Sequence, residues 1–318
     1  MELILFTVAA IVRIGATVGL GLLLGFALGL WYARVSYYDG SENTGIRKSH
    51  RFQTWCADNW LVTLFRRHYV AHHLAHVNAD NQCMNTVPED YYDKLLAASD
   101  AKPVIFAGHP HGLLAIASIL TVGLPEGERR GTTRSRKVAD MWRQVVPCVH
   151  RHVFAVPLLR DVALAIGAIN VDRANMVSAL ESRSIYVAPG GCREMILEAG
   201  GRRDAAESQQ HRHTGFLQIA YSEKRLVYPM IHSGQERVFT SYTCAWLDKL
   251  RHTVLDLTGY PFPTFFSGPW PHTLTTYLCA PHDPVDYTCE ADFINAYFEA
   301  VQRHAAVVDE HDKKKGNQ

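Results

Sequence analysis

Hydrophobic and polar positions change their pattern twice along the chain. The run Leu3 to Trp31 carries a single charge, Arg13, and residues 14–32 carry none. A helix of that uncharged length reaches about 28 Å, close to the hydrocarbon thickness of a bilayer, so the pattern predicts a membrane segment. Leu3 to Val12 precedes it. Taken as one helix the whole stretch is too long to stand upright; taken as two arms it is a re-entrant hairpin with Arg13 snorkelling to an interface, and both readings stay open. Further on, Trp60, Leu61, Leu64, Phe65 and Tyr69 recur at helical spacing, with Arg66 and Arg67 on the other side and Asp58 and Asn59 as caps. This is the pattern of an interfacial helix. His68, His72 and His76 would share one face of its continuation, with His73 adjacent. No second His or carboxylate cluster follows, so no metal site is expected there.

From about residue 102 the pattern becomes short apolar runs that end in glycine-rich or polar turns and alternate with helical stretches. Val104 to Ala107, Ile166 to Val171, Ser184 to Ala188 and Leu226 to Ile231 read as buried strands. The alternation predicts an α/β fold, a mostly parallel sheet covered by helices on both faces. The organisation that follows is a membrane anchor over 1–35, an interfacial helical segment over 36–101 and a main domain over 102–318.

Composition narrows the partners. The 318 residues are 47% hydrophobic and 20% charged, and 32 Lys+Arg against 31 Asp+Glu leave a formal charge of +1. A chain so balanced offers no overall field for a polyanion, and no basic stripe with interleaved aromatics appears, so nucleic acid is not an expected partner. Seven scattered cysteines, none in a CxxC pair, suggest neither a disulfide framework nor a structural zinc site and fit a reducing compartment. Arg34, Arg47, Lys48 and Arg51 follow the apolar segment, which places the bulk of the chain on the cytosolic side. Gly21, Gly25 and Gly29 recur every four residues and make a bare helix face on which two copies of the chain would pack, although glycine is common in membrane helices for other reasons. A cleaved signal peptide fits less well, since the apolar run is left through Trp31, Tyr32 and Arg34.

In open α/β sheets the chemistry lies beyond the carboxyl ends of strands. Those ends here carry His109-Pro110-His111-Gly112, Asp172-Arg173, Pro189-Gly190-Gly191-Cys192-Arg193-Glu194 and His232-Ser233-Gly234. His111, near the positive end of the following helix, is suited to stay a neutral base near pH 7. Gly190 and Gly191 let backbone approach a ligand, and Glu194 in a first helical turn is favoured as an anion. GxSxG, GxxxxGK[ST] and a post-strand GxGxxG are all absent, so serine hydrolases, P-loop enzymes and Rossmann enzymes lack their signatures.

Four of these blocks, in order, resemble those of the diacylglycerol acyltransferase 2 and monoacylglycerol acyltransferase family, within the glycerolipid and lysophospholipid acyltransferases. HPHG at 109–112 looks like that group's histidine block, and VPLLRDVALAIGAINVDR at 156–173 is similar to the next, with Gly167 followed by Arg173. VAPGGCRE at 187–194 and LVYPMIHSGQERVF at 226–239 resemble the last two. Many wider-family members place an aspartate five residues after the histidine; here those positions hold Leu114 and Ile116, and the resemblance implies Glu194 as the orienting carboxylate. Asn170 stands where relatives that bind glycerol 3-phosphate often have an aromatic, which favours a neutral acceptor.

What the resemblance implies is a glycerolipid acyltransferase-like fold and acyl transfer from acyl-CoA to diacylglycerol or another lipid alcohol. No cofactor is implied beyond acyl-CoA as co-substrate, and the setting is membrane lipid, with the endoplasmic reticulum as location. The expected catalytic residues are His111 as base, His109 in support and Glu194; Gly112, Gly190, Gly191, Arg173 and Arg193 are the expected substrate-binding residues. Cys192 as an acyl-enzyme nucleophile has no base fixed beside it. Monoacylglycerol, a fatty alcohol or a lysophospholipid are the alternative acceptors, and a membrane-anchored lipid-binding protein without turnover is the alternative class.

Overall fold

The computed structural model describes residues 19–37, 39–78, 80–125, 133–199, 213–260 and 265–316. Two compact units divide the chain, residues 1–41 and residues 42–318. In the first, residues 19–32 are helical, and Leu20, Leu22, Phe26, Leu30 and Trp31 all project outward. A helix apolar on every side has no core of its own to bury against. Its segment is long and apolar enough to cross a membrane by length and composition. Space around Gly21, Gly25 and Gly29 is open. The expected upstream arm, Leu3 to Val12, and Ile14 to Val18 lie outside the described residues.

The second unit is built on an eight-stranded sheet in the order β2-β1-β10-β7-β3-β6-β4-β5. Its strands are β1 (Val70–Val77), β2 (Cys83–Met84), β3 (Ile105–His109), β4 (Val146–Val149), β5 (Ile169–Asn170), β6 (Ile185–Val187), β7 (Val227–Ser233) and β10 (His272–Leu278). β7, β3, β6, β4 and β5 run parallel to one another; β10 is antiparallel to β7, and β1 lies parallel to β10. β8 (Thr240–Tyr242) and β9 (Phe265–Ser267) pair separately as an antiparallel ribbon. The α/β class with a mostly parallel sheet is as the alternating pattern predicts.

Strand alternation sorts the core into two layers. Ile105, Ala107, Ile185 and Val187 face one side, against Met176 and Leu180 of α5 (Arg173–Leu180), Phe216 and Leu217 of α7 (Gly215–Glu223), and Phe293 and Tyr297 of α9 (Glu290–Gly316). Phe106, Tyr186, Tyr228 and Met230 face the other, against Leu95 of α2 (Glu89–Ala101) and Val138, Met141 and Trp142 of α3 (Thr133–Gln144). Further helices are α1 (Trp60–His68), α4 (Leu159–Ala165), α6 (Gly191–Ala199) and α8 (Ala245–Thr258).

Two sequence expectations are corrected. The helix begun at Trp60 stops at His68, and His72, His73 and His76 lie on strand β1, zipped in register to β10 from Val70↔His272 to His76↔Leu278. Ile166 to Val171 is strand only at Ile169–Asn170; Ile166 caps α4, and the turn passes through Gly167 at φ +83°. A side chain there would also strike Lys48, so glycine suits both conformation and space.

Candidate active site

β3 ends at His109 and delivers the HPHG loop to the carboxyl edge of the parallel block, with a cis peptide between His109 and Pro110. His109 continues the odd-numbered face of β3, and its Nε2 shares a hydrogen bond of 3.0 Å with the hydroxyl of Tyr297 on α9. His111 Nδ1 lies 2.8 Å from the carbonyl oxygen of Gly112. A carbonyl only accepts, so the imidazole proton sits on Nδ1 and the Nε2 lone pair is left for other work. Gly112 has φ +74°, and a Cβ on it would press on the Gln235 side chain. That amide is buried in the turn after β7 and donates from Nε2 to the Pro110 carbonyl at 2.6 Å, fixing the loop from outside.

Glu194 reaches the same loop from α6. Its carboxylate accepts a hydrogen bond from the backbone N–H of His111; burial raises its pKa and that bond lowers it. The carboxylate therefore grips the main chain of the histidine loop, while the ring of His111 is oriented by Gly112. Glu194 also folds back over Gly190 so closely that a Cβ there would fall on the carboxylate. Gly191 starts α6 at φ +54°, with His213 nearby. Of the expected residues, His109, His111, Gly112, Gly190 and Glu194 thus come together at one place. Arg193 points out from α6 and pairs with Asp256 of α8 at 3.4 Å. Arg173 is exposed on the first turn of α5, beyond the edge strand β5 and three strands from β3. Burial raises the Cys192 thiol pKa, which disfavours a thiolate.

Beneath the loop runs a chain of buried polar side chains that sequence reading brings out only in part. Ser118 Oγ bonds the Tyr186 hydroxyl at 2.5 Å, Tyr186 bonds His232 Nε2 at 3.0 Å, and His232 Nδ1 meets Thr276 Oγ1 at 2.9 Å. Thr276 also bonds His72 Nε2 at 2.9 Å, and Thr121 Oγ1 approaches the same nitrogen at 3.3 Å. His232 is flagged by its place at a strand end. Tyr186 sits in an otherwise apolar strand, IYV, and a hydroxyl in that buried run is the signal that would have found it; Thr276 and His72 lie in strands of mixed polarity, HTLTTYL and VAHHLAHV, where nothing marks one polar residue above the others.

Burial sets the charge state of the whole cluster. It depresses His109 to about 4 and His72 and His232 to about 3, with the neighbouring histidines depressing His232 further. His111 is lowered as well, by burial first, against the opposing pull of the Gly112 carbonyl. The imidazoles are neutral at pH 7. Unfolded histidines titrate near 6.5, so as pH falls below that value the unfolded chain gains protons that the folded chain refuses until about 4 and 3. Stability contributed by keeping these rings neutral is intact above about pH 6.5 and declines steadily below it. Thermal midpoints in detergent between pH 7.5 and 4.5 should fall on the acid side, and a flat profile would contradict the burial of these rings.

The fold and this site define an α/β protein that presents a neutral, hydrogen-bonded histidine loop at the carboxyl edge of a mostly parallel sheet. The model of the family described as Diacylglycerol acyltransferase matches residues 45–269, well over half of the sequence. The chain belongs to that family. It is 24% identical over 178 residues to Diacylglycerol O-acyltransferase 2A of Umbelopsis ramanniana, covering 52% of this chain and 46% of that protein. It is 24% identical over 249 residues to Diacylglycerol O-acyltransferase 2 of Dictyostelium discoideum, covering 68% of this chain and 69% of that one. The match spans about half the length of the first relative and about two thirds of the second. No solved structure matches the chain.

Proposed function

We propose that the chain transfers the acyl group of a fatty acyl-CoA to the hydroxyl of diacylglycerol, with Nε2 of His111 as general base. The observation that carries the reading is the Nδ1–H of His111 committed to the Gly112 carbonyl, which leaves an in-plane lone pair on Nε2 of a ring kept neutral by burial. The acceptor oxygen attacks the thioester carbonyl carbon while Nε2 takes its proton. Collapse of the tetrahedral intermediate breaks the C–S bond, and the departing CoA thiolate recovers the proton from the imidazolium. The products are triacylglycerol and CoA. A thioester is already activated, so positioning, a base and an oxyanion site suffice, and no enzyme-bound acyl group is needed. Backbone N–H groups at Gly112 or at the Gly190-Gly191 turn are the candidates for the oxyanion site. Glu194 acts as a positioning residue through the His111 main chain. Arg173 and Arg193, both exposed, are the proposed partners of CoA phosphates outside the reacting centre.

The setting is a membrane, with the apolar N-terminal helix as anchor and the catalytic unit on the cytosolic side of the endoplasmic reticulum. The relatives' printed names and the neutral, non-phosphorylated acceptor suggested by Asn170 both support diacylglycerol. The full chain, purified and incubated with labelled acyl-CoA and a panel of lipid alcohols, should give triacylglycerol. A labelled phospholipid or wax ester instead would move the acceptor assignment, and absence of any labelled product would overturn the enzymatic reading.

A further inference from the structure

β1 and β10 run opposite to β7, and therefore opposite to β3. Their amino ends lie at the same edge of the sheet to which β3 delivers the histidine loop. Thr275 stands opposite Ser233 in the register, and the next turn of β7, Gly234, sits so close to His272 and Thr273 that a Cβ there would strike the Thr273 carbonyl. What precedes β1 and β10 therefore lies on the same edge of the sheet as the candidate active site, three and two strands from β3 respectively.

Those preceding segments are aromatic and exposed. Tyr69, stacked on Phe65 at the end of α1, accepts the N–H of His272 at its carbonyl, 2.9 Å away. Trp270, 49% exposed, donates its backbone N–H to Val238 and its indole N–H to Thr240 Oγ1 at 3.1 Å, joining β10's approach to the β8–β9 ribbon. In that ribbon Tyr242 pairs with Phe265, and both are more than half exposed. α8 follows with Trp246, 68% exposed, and is locked to the ribbon by the buried Arg251, which donates to the Tyr242 carbonyl at 2.6 Å. A chain of hydrogen bonds thus links α1, the β8–β9 ribbon and α8 into one continuous aromatic rim.

The composition of the rim points to one occupant. The ribbon and the approach to β10, 238–247 and 259–271, contain no Asp, Glu, Lys or Arg; the charges lie on the flanking helices, Arg66 and Arg67 of α1 and Asp248, Lys249, Arg251 and Asp256 of α8, so the aromatic stretch between them offers no charged group with which to select a protein partner. Tryptophan and tyrosine with polar tips beside bare phenylalanines are the side chains that settle at the headgroup boundary of a bilayer. A contiguous exposed apolar area of this kind would be a liability in water.

We propose that this rim seats the catalytic edge of the sheet on the lipid surface, so that acyl chains reach the histidine loop from the bilayer without crossing water. The route to the loop rests on the acyl-transfer reading above; the seating itself does not. Two naturally exposed cysteines serve as probes: Cys244, between Tyr242 and Trp246 in the rim, and Cys289, which follows the carboxyl end of β10 at the opposite edge of the sheet. The full chain is labelled with a fluorophore at one of them, the other being replaced by serine, and reconstituted in phosphatidylcholine vesicles. The Cys244 label should be quenched by nitroxide-bearing lipid chains and shielded from aqueous iodide, with the reverse at Cys289. Iodide reaching both labels equally would overturn the seating. The unlabelled variant Trp246→Lys with Trp270→Lys is the second measurement, free of any disturbance of the rim by a fluorophore. Its KM for bilayer-dissolved diacylglycerol should rise at least fivefold with the KM for acyl-CoA unchanged, and unchanged values for both would count against the proposal. A lipid-shielded Cys244 in a chain that transfers no acyl group would leave the seating standing and remove the proposed activity.

Discussion

Replacing His111 by alanine should lower acyl transfer by roughly 100- to 10,000-fold, the range that a positioned general base contributes. The loop should survive the change. Its main chain is held by Glu194 at the His111 N–H and by Gln235 at the Pro110 carbonyl, and neither contact involves the imidazole. The thermal midpoint of His111→Ala should therefore stay within a few degrees of wild type, which separates loss of the base from loss of the fold. The pH profile gives a second, independent reading. A base is active when unprotonated, and burial lowers this one, so wild-type kcat/KM should hold from neutral pH down past the ordinary histidine value of about 6.5 before it falls. His111→Ala should lose that acid limb along with the rate. His109→Ala tests the division of labour. With its Nε2 tied to Tyr297, His109 is less free to take a proton, and its loss should slow turnover while keeping the acid limb. Wild-type turnover in His111→Ala, or an acid limb that disappears only in His109→Ala, would move the base to the other ring.

The sheet edge and the four blocks along it are legible in the sequence because strands buried on both faces are continuous apolar runs, and the turns that end them carry the chemistry. The histidine run shows where that logic fails. Residues four apart share a helix face, but four is also even, so His72 and His76 share a strand face equally well. Only pairing with β10, about 200 residues away, decides between them. Distance along the chain also hides Tyr297, which meets His109 across a separation of 188 residues. The role of Glu194 is partly legible: its place beside the histidine loop follows from the strand-turn-helix pattern. That it grips the main chain rather than the ring depends on the path of the loop backbone, which side-chain identity does not specify.

The absent side chain at Gly108 is where the fold and the chemistry bear on the same atoms, and Gly108→Ala should be the most disruptive small substitution at this edge. Gly108 lies on the face of β3 that looks onto the buried polar chain. An added Cβ would fall on the Tyr186 hydroxyl and 2.5 Å from His232 Nε2. Neither neighbour has an easy exit. Tyr186 and His232 are almost fully buried, and the tyrosine hydroxyl is already engaged by Ser118 on one side and His232 on the other. Overpacking of a tight interior costs about 1–3 kcal/mol, and separating Tyr186 from His232 adds the cost of leaving a buried polar group without its partner, about 1–3 kcal/mol. Gly108→Ala should therefore lower the thermal midpoint by several degrees and depress kcat, since the residue next to it is His109. The double variant Gly108→Ala with Tyr186→Phe distinguishes the causes. Removing the hydroxyl takes away the atom that the methyl group strikes, so the double variant should recover part of the stability lost by Gly108→Ala alone, even though Tyr186→Phe by itself is destabilising. That non-additivity is the signature of direct contact. Strictly additive losses would mean that β3 and the tyrosine do not press on each other, and that the polar chain does not support the histidine loop from below.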